Sequence, residues 1–191
     1  MIKEKIATFI SFTFGGEVWL PIILFITFLK SGLPHSILIY LLPLTFFLEF
    51  IIPFSGFYLL IKLKKVSDWD VTKRKQRYPL IETAAVSWTI ALIFIYFLGN
   101  AFLFHVFLTL FVLGALIGFI TYFWKISYHA ALNTTAVILL NYFFDGKLLW
   151  LYLIIPVVCW SRFVLKKHTI SQLLAGILLS AAVTFIGLYL F

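Results

Sequence analysis

Seven apolar segments, at 6–29, 36–61, 80–98, 101–123, 130–144, 147–160 and 169–191, fill most of this chain and leave it few ways to fold. A helix needs about 20 residues to cross the ~30 Å hydrocarbon core of a bilayer. Five of the seven segments reach that length or nearly so. Hydrocarbon offers no partner to backbone N–H and C=O groups, so helices are the expected spanning elements. The segments 130–144 and 147–160 are short, with 15 and 14 residues. They reach spanning length only by taking in residues 126–129 at one end and 162–165 at the other, which draws His129 into a helix end near headgroup depth. The expected fold is an all-α integral membrane protein, a bundle of about six to seven transmembrane helices in a single domain over 1–191. The charged share agrees, at 12% against about 25% in a soluble domain.

The N-terminal Met1-Ile2-Lys3-Glu4-Lys5 is basic like a signal peptide, but the apolar run behind it continues to Leu29. That is too long for a signal core, so a retained membrane helix is expected. Cys159 is the only cysteine, which excludes an intrachain disulfide. Gly99-Asn100 and Asp145-Gly146-Lys147 are turn chemistry between antiparallel helices. The stretch 62–79 is the one long polar segment, and Pro79 suits the first turn of the helix that follows.

Three polar islands interrupt the apolar chain: Lys73 to Pro79, Lys125 to His129, and Ser161-Arg162 with His168 five residues further on. Two expected crossings separate each island from the next, so all three fall on one face of the membrane, together with the N-terminus. Lys3, Lys5, Lys62, Lys64, Lys65, Lys73, Arg74, Lys75, Arg77, Lys125, Arg162, Lys166 and Lys167 lie on that face, 13 of the 15 basic residues. Such asymmetry places the face in the cytoplasm. Trp69, Trp124 and Trp160 stand near the islands, as an interfacial belt would.

Arginine and lysine beside two histidines fit a site that holds a phosphate and breaks its ester bond. Arginine makes forked hydrogen bonds to phosphate oxygens. One imidazole can attack phosphorus while the other protonates the leaving oxygen. The spacing Ser161-Arg162-x5-His168, preceded by Ser127-x-His129 and by Arg77-x-Pro79, resembles the three-part signature of the type 2 phosphatidate phosphatase superfamily. This superfamily includes soluble acid phosphatases and vanadium haloperoxidases, and the chain is similar to its divergent prokaryotic membrane members. The resemblance covers 62–191, with 6–61 as variable N-terminal helices. It implies a metal-independent lipid phosphatase acting through phosphohistidine. His168 would be the nucleophile and His129 the general acid. Arg77 and Arg162, with Lys73 or Arg74, would hold the phosphate, and Ser127 would add a hydroxyl or backbone N–H. No cofactor, metal or nucleic acid is implied; the partners are a lipid phosphate and the bilayer.

The chain departs from that signature in places. Gln172 stands where the family has the Asp that steadies the nucleophile, and Asp70 stands in place of a Lys. His168 and Gln172 are four apart and share a helix face, so the amide oxygen can accept Nδ1–H and fix the tautomer without supplying charge. A second reading therefore stays open, a catalytically weak or inactive lipid-phosphate-binding or transport protein on the same scaffold. Glu17, Glu49, Glu82, His105, Asn133 and Asn141 lie inside expected spans. Asn133 and Asn141 suit helix-to-helix hydrogen bonds. Glu82, one turn inside the helix after Pro79, is placed to orient Arg77.

Overall fold

The structure is a computed structural model that describes residues 2–69 and 71–190, apart from the side chains of residues 16 and 17. The expectations attached to Asp70 and to the Glu17 side chain fall outside the described residues. Among those described, every regular element is helical. In chain order they are α1 (Ile2–Thr13), α2 (Gly16–Lys30), α3 (His35–Phe46), α4 (Ile52–Lys62), α5 (Tyr78–Phe97), α6 (Ala101–Phe123), α7 (Tyr128–Phe143), α8 (Ile154–Val164) and α9 (Ile170–Tyr189). A π-helical turn, Phe47–Ile51, joins α3 to α4. Short 3-10 turns, Arg74–Arg77 and Leu149–Leu153, lead into α5 and α8.

Five helical stretches are long and apolar enough to cross a membrane: Ile2–Lys30, His35–Lys62, Arg74–Phe97, Ala101–Phe123 and Ile170–Tyr189. An all-helical membrane protein follows from them. The apolar run 6–29, read from sequence as one helix, is broken at Phe14–Gly15 into α1 and α2. Gly15-Gly16 is the cause in sequence, because glycine is the costliest ordinary residue in a helix interior. The Phe14 carbonyl exposed by the break accepts a hydrogen bond from Asn133 Nδ2 at 2.9 Å. Pro79 does occupy the first turn of α5, and Asn100 caps α6 by accepting from Leu103 N at 2.9 Å.

The described residues gather into two compact units, residues 2–26 with Lys125–Leu190, and Thr27–Trp124. The second and third polar islands therefore belong to the first unit, and the first island belongs to the second unit.

In the first unit α7 is the innermost element. Thirteen of its 16 residues are buried, so protein rather than lipid surrounds it. At 1.5 Å per residue it is only about 24 Å long. It packs beside α9, and the two run in the same direction. Ser127 N, at the start of α7, donates to Gln172 O in the first turn of α9 at 3.3 Å. Two turns further on, Thr135 Oγ1 and Thr184 Oγ1 lie 3.0 Å apart. The face that α9 turns inward carries Leu173, Gly176, Ser180 and Thr184. Small residues at such spacing let two membrane helices approach closely. Helix α1 packs on α8, and its buried residues are Ala7 and Ser11.

In the second unit α5 and α6 form a hairpin through Gly99, whose φ of 72° suits a residue without Cβ. The α3–α4 stretch packs along α5.

Candidate functional site

His168 is held between two helix ends, each closed by local sequence. Helix α8 ends in a Schellman arrangement: Lys166 N donates to Phe163 O at 2.9 Å and Lys167 N to Arg162 O at 3.0 Å. Lys166 takes the left-handed position, with φ 54°, where glycine is usual. Lys125 Nζ pins the turn from outside by donating to Lys167 O at 2.8 Å. Helix α9 then starts with a capping box, in which Thr169 Oγ1 accepts from Gln172 N at 3.4 Å and Gln172 Oε1 accepts from Thr169 N at 3.1 Å. The same Gln172 Oε1 lies 3.3 Å from His168 Nδ1. An amide oxygen only accepts, so at this contact Nδ1 carries the proton. His168 is 6% exposed. Because a left-handed lysine costs more than a glycine, Lys166→Gly is expected to stabilise the turn by up to about 1 kcal/mol, read as a higher melting temperature in detergent.

Arg162 is buried in the last turn of α8, and its Nη1 donates to Ser11 Oγ of α1. Ser127 is also buried, and its hydroxyl caps α7 by accepting from Ala130 N at 3.3 Å. The Ser127 hydroxyl thus serves α7 as a cap, and its backbone N–H donates to Gln172 O. His129 is half-buried in the first turn of α7, and its carbonyl accepts from Asn133 Nδ2 at 2.8 Å. The N-termini of α7 and α9 lie side by side at this end of the unit. Their backbone dipoles present partial positive charge there. The segments 124–129 and 160–172 add Lys125, Arg162, Lys166 and Lys167 and contain no Asp or Glu.

An open depression of ≈ 1010 Å³ is lined by Lys125, Lys166, Lys167, His168 and Gln172, with Thr169 to Ser171 at the start of α9. Its lining does not include Arg162, His129 or Ser127. The structure therefore unites His168 and Gln172 with Lys125 of the second island and with Lys166 and Lys167, which in sequence bear only on topology. One local signal was readable in advance, since Thr169-x-x-Gln172 is a capping-box spacing. It gives Gln172 a structural reason beside any chemical one.

In the second unit the arginines of the first island hold backbone carbonyls. Arg74 Nη1 donates to Tyr122 O at 2.6 Å and reaches Thr121 O at 3.5 Å, closing the C-terminus of α6. Arg77 Nε donates to Val71 O at 3.0 Å. Val71 has a φ of 44°, a left-handed value that β-branched residues rarely adopt. Lys73 is exposed. Tyr78 stacks on Tyr122, with ring centroids 4.5 Å apart. Glu82 accepts from Tyr122 OH at 3.1 Å, rather than orienting Arg77 as its sequence position suggested. Asn133 ties α7 to the α1–α2 break, whereas Asn141 Nδ2 donates to Leu148 O at 3.1 Å, in the turn after its own helix rather than on another helix.

No family model matches the chain, and comparison with curated proteins and with solved structures finds no match either.

Proposed function

We propose that the first unit binds the phosphate of a membrane lipid and hydrolyses its ester through a phosphohistidine intermediate. The observation that carries this reading is the buried His168, its Nδ1 facing Gln172 Oε1 at 3.3 Å, at the edge of a depression walled by lysines. Lys125, Lys166, Lys167 and the N-terminus of α9 draw in the anion. Arg162, 1% exposed and donating to Ser11, adds forked donors to the phosphate oxygens only by turning its guanidinium from α1 toward the depression. The Nε2 lone pair of His168 attacks phosphorus as the P–O bond to the lipid breaks. His129 gives its proton to the departing alkoxide. Water then cleaves the N–P bond, releasing inorganic phosphate and restoring the imidazole.

The membrane arrangement belongs to the same proposal. Helix α7 and the stretch Leu149–Val164 add two short crossings to the five long ones, for seven in all. The basic residues flanking them put the reactive end in the cytoplasm.

Gln172 supports a second reading. Its Oε1 is shared between Thr169 N–H and His168 Nδ1, and it brings no negative charge to steady an imidazolium. A protein that binds lipid phosphate without turnover follows from that. The full chain in detergent, given labelled phosphatidate or a polyprenyl diphosphate with a chelator present, separates the two. Released phosphate with an acid-labile phosphoenzyme is the expected result. Saturable binding without release selects the second reading, and neither binding nor release overturns both.

A further inference from the structure

Glu49 lies at the middle of the 28-residue helical stretch His35–Lys62, with about 20 Å of helix on either side. Its surroundings are set by Pro53, which has no N–H to donate. The helix answers with the π turn Phe47–Ile51, in which Ile52 N bonds Phe47 O, five residues back. That shift brings the Leu48 carbonyl to the place where Pro53 would have to donate. Ser87 Oγ, reaching across from α5, donates to Leu48 O instead. Thr45, one turn before Glu49 on the buried face, donates to Leu41 O at 2.8 Å. The backbone defect and both hydroxyls are therefore satisfied within the second unit.

The Glu49 side chain is not. It is 3% exposed, and neither carboxyl oxygen makes a hydrogen bond. An ionised carboxylate in such a place has no donor and no counter-charge. The titratable groups on the packed elements lie elsewhere. Glu82 is exposed and bonded to Tyr122, and His35 and Lys62 are at the ends of the stretch. The acid makes no interhelical hydrogen bond, so it serves as no glue, and an apolar residue would fill the space at lower cost. Ionisable residues kept inside membranes act by default on ions or protons, and π turns recur at functional positions.

We propose that Glu49 is a proton-binding site at the membrane midplane, independent of the phosphate chemistry of the first unit. The proton bonds to one carboxyl oxygen and neutralises it. A metal ion is a poorer fit, because hard cations gather several oxygen ligands and the hydroxyls of Thr45 and Ser87 already donate to carbonyls.

A hydrophobic carbodiimide tests this on the full chain in detergent. The acid proton passes to a carbodiimide nitrogen, the carboxyl oxygen bonds to the central carbon, and the adduct rearranges to a stable N-acylurea seen by mass spectrometry. A single adduct at Glu49 is expected, lost to background in Glu49→Gln. Its rate should fall at least about tenfold on raising pH once the acid ionises, because only the protonated acid can give its proton to the carbodiimide. Absence of the adduct, a rate indifferent to pH, or protection by sodium at fixed pH overturns the proposal. Infrared spectra of the wild type need no variant. Reversible loss of a protonated-carboxyl stretch on raising pH is expected, and an unchanging band refutes an exchangeable proton.

Discussion

His168→Asn is expected to lower phosphate release by at least about 10⁴-fold and to remove the phosphoenzyme, because the attacking nitrogen is gone. Asparagine keeps a polar group beside Gln172, so the helix start and the melting temperature should change little. Gln172→Glu should move the rate the other way. A capping box accepts Glu as readily as Gln, so one carboxylate oxygen can keep the bond to Thr169 N, now 3.1 Å. The added charge would face His168 Nδ1–H and steady the imidazolium that forms as phosphorus is attacked. A gain of about 10²-fold in kcat is expected, at the low end of what a well-placed acid–base group supplies. KM should rise, since Gln172 also lines the depression and a carboxylate there repels the phosphate. A variant that keeps its melting temperature and shows no gain in kcat would take the imidazole out of the reaction.

Gly176→Val is expected to disrupt the first unit. A Cβ at Gly176 would lie 2.7 Å from Ser127 O, 3.3 Å from Ala130 Cβ and 3.4 Å from Ala131 N. Two of these are backbone atoms of the neighbouring region, so no rotamer change relieves the clash. Helix α9 would have to move outward, stretching the Thr135–Thr184 contact and emptying the small-residue seam. A loss of about 3 kcal/mol or more is expected, read as a lower midpoint in denaturant titration. Gly114→Ala is the matched control, because a Cβ there meets nothing within 4 Å. It should be neutral or stabilising by up to about 1 kcal/mol. Equal behaviour of the two variants would rule out close backbone packing as what holds α7 to α9.

The long spans were legible because apolar length is a strong signal that needs no tertiary information. The break at Phe14–Gly15 was not read, although Gly15-Gly16 marks it, because hydrophobicity does not dip there. Pairing of His168 with Gln172 is expected from a shared helix face, but His168 precedes the N-cap Thr169 of α9, and Gln172 meets it by folding back as the N3 residue of the capping box. The roles of Arg74 and Arg77 were hidden, since their partners depend on where α6 ends and on the unusual φ at Val71. Lys125 belongs to the second island in sequence, but nothing local tells that its Nζ finds the carbonyl of Lys167, 42 residues away. For Glu49 the cause of the π turn is visible in the spacing to Pro53, while its isolation from donors is visible only once α5 is in place.

The enclosure of α7 also bears on how the protein meets different bilayers. Hydrophobic mismatch acts on helices that touch acyl chains, tilting them or thinning the lipid around them. A helix wrapped on nearly every side by its neighbours is insulated from that strain. The depth of its polar end then follows its register with α9, so a change in lipid chain length should shift the outer helices and leave the spacing of Ser127 from Gln172 as it is.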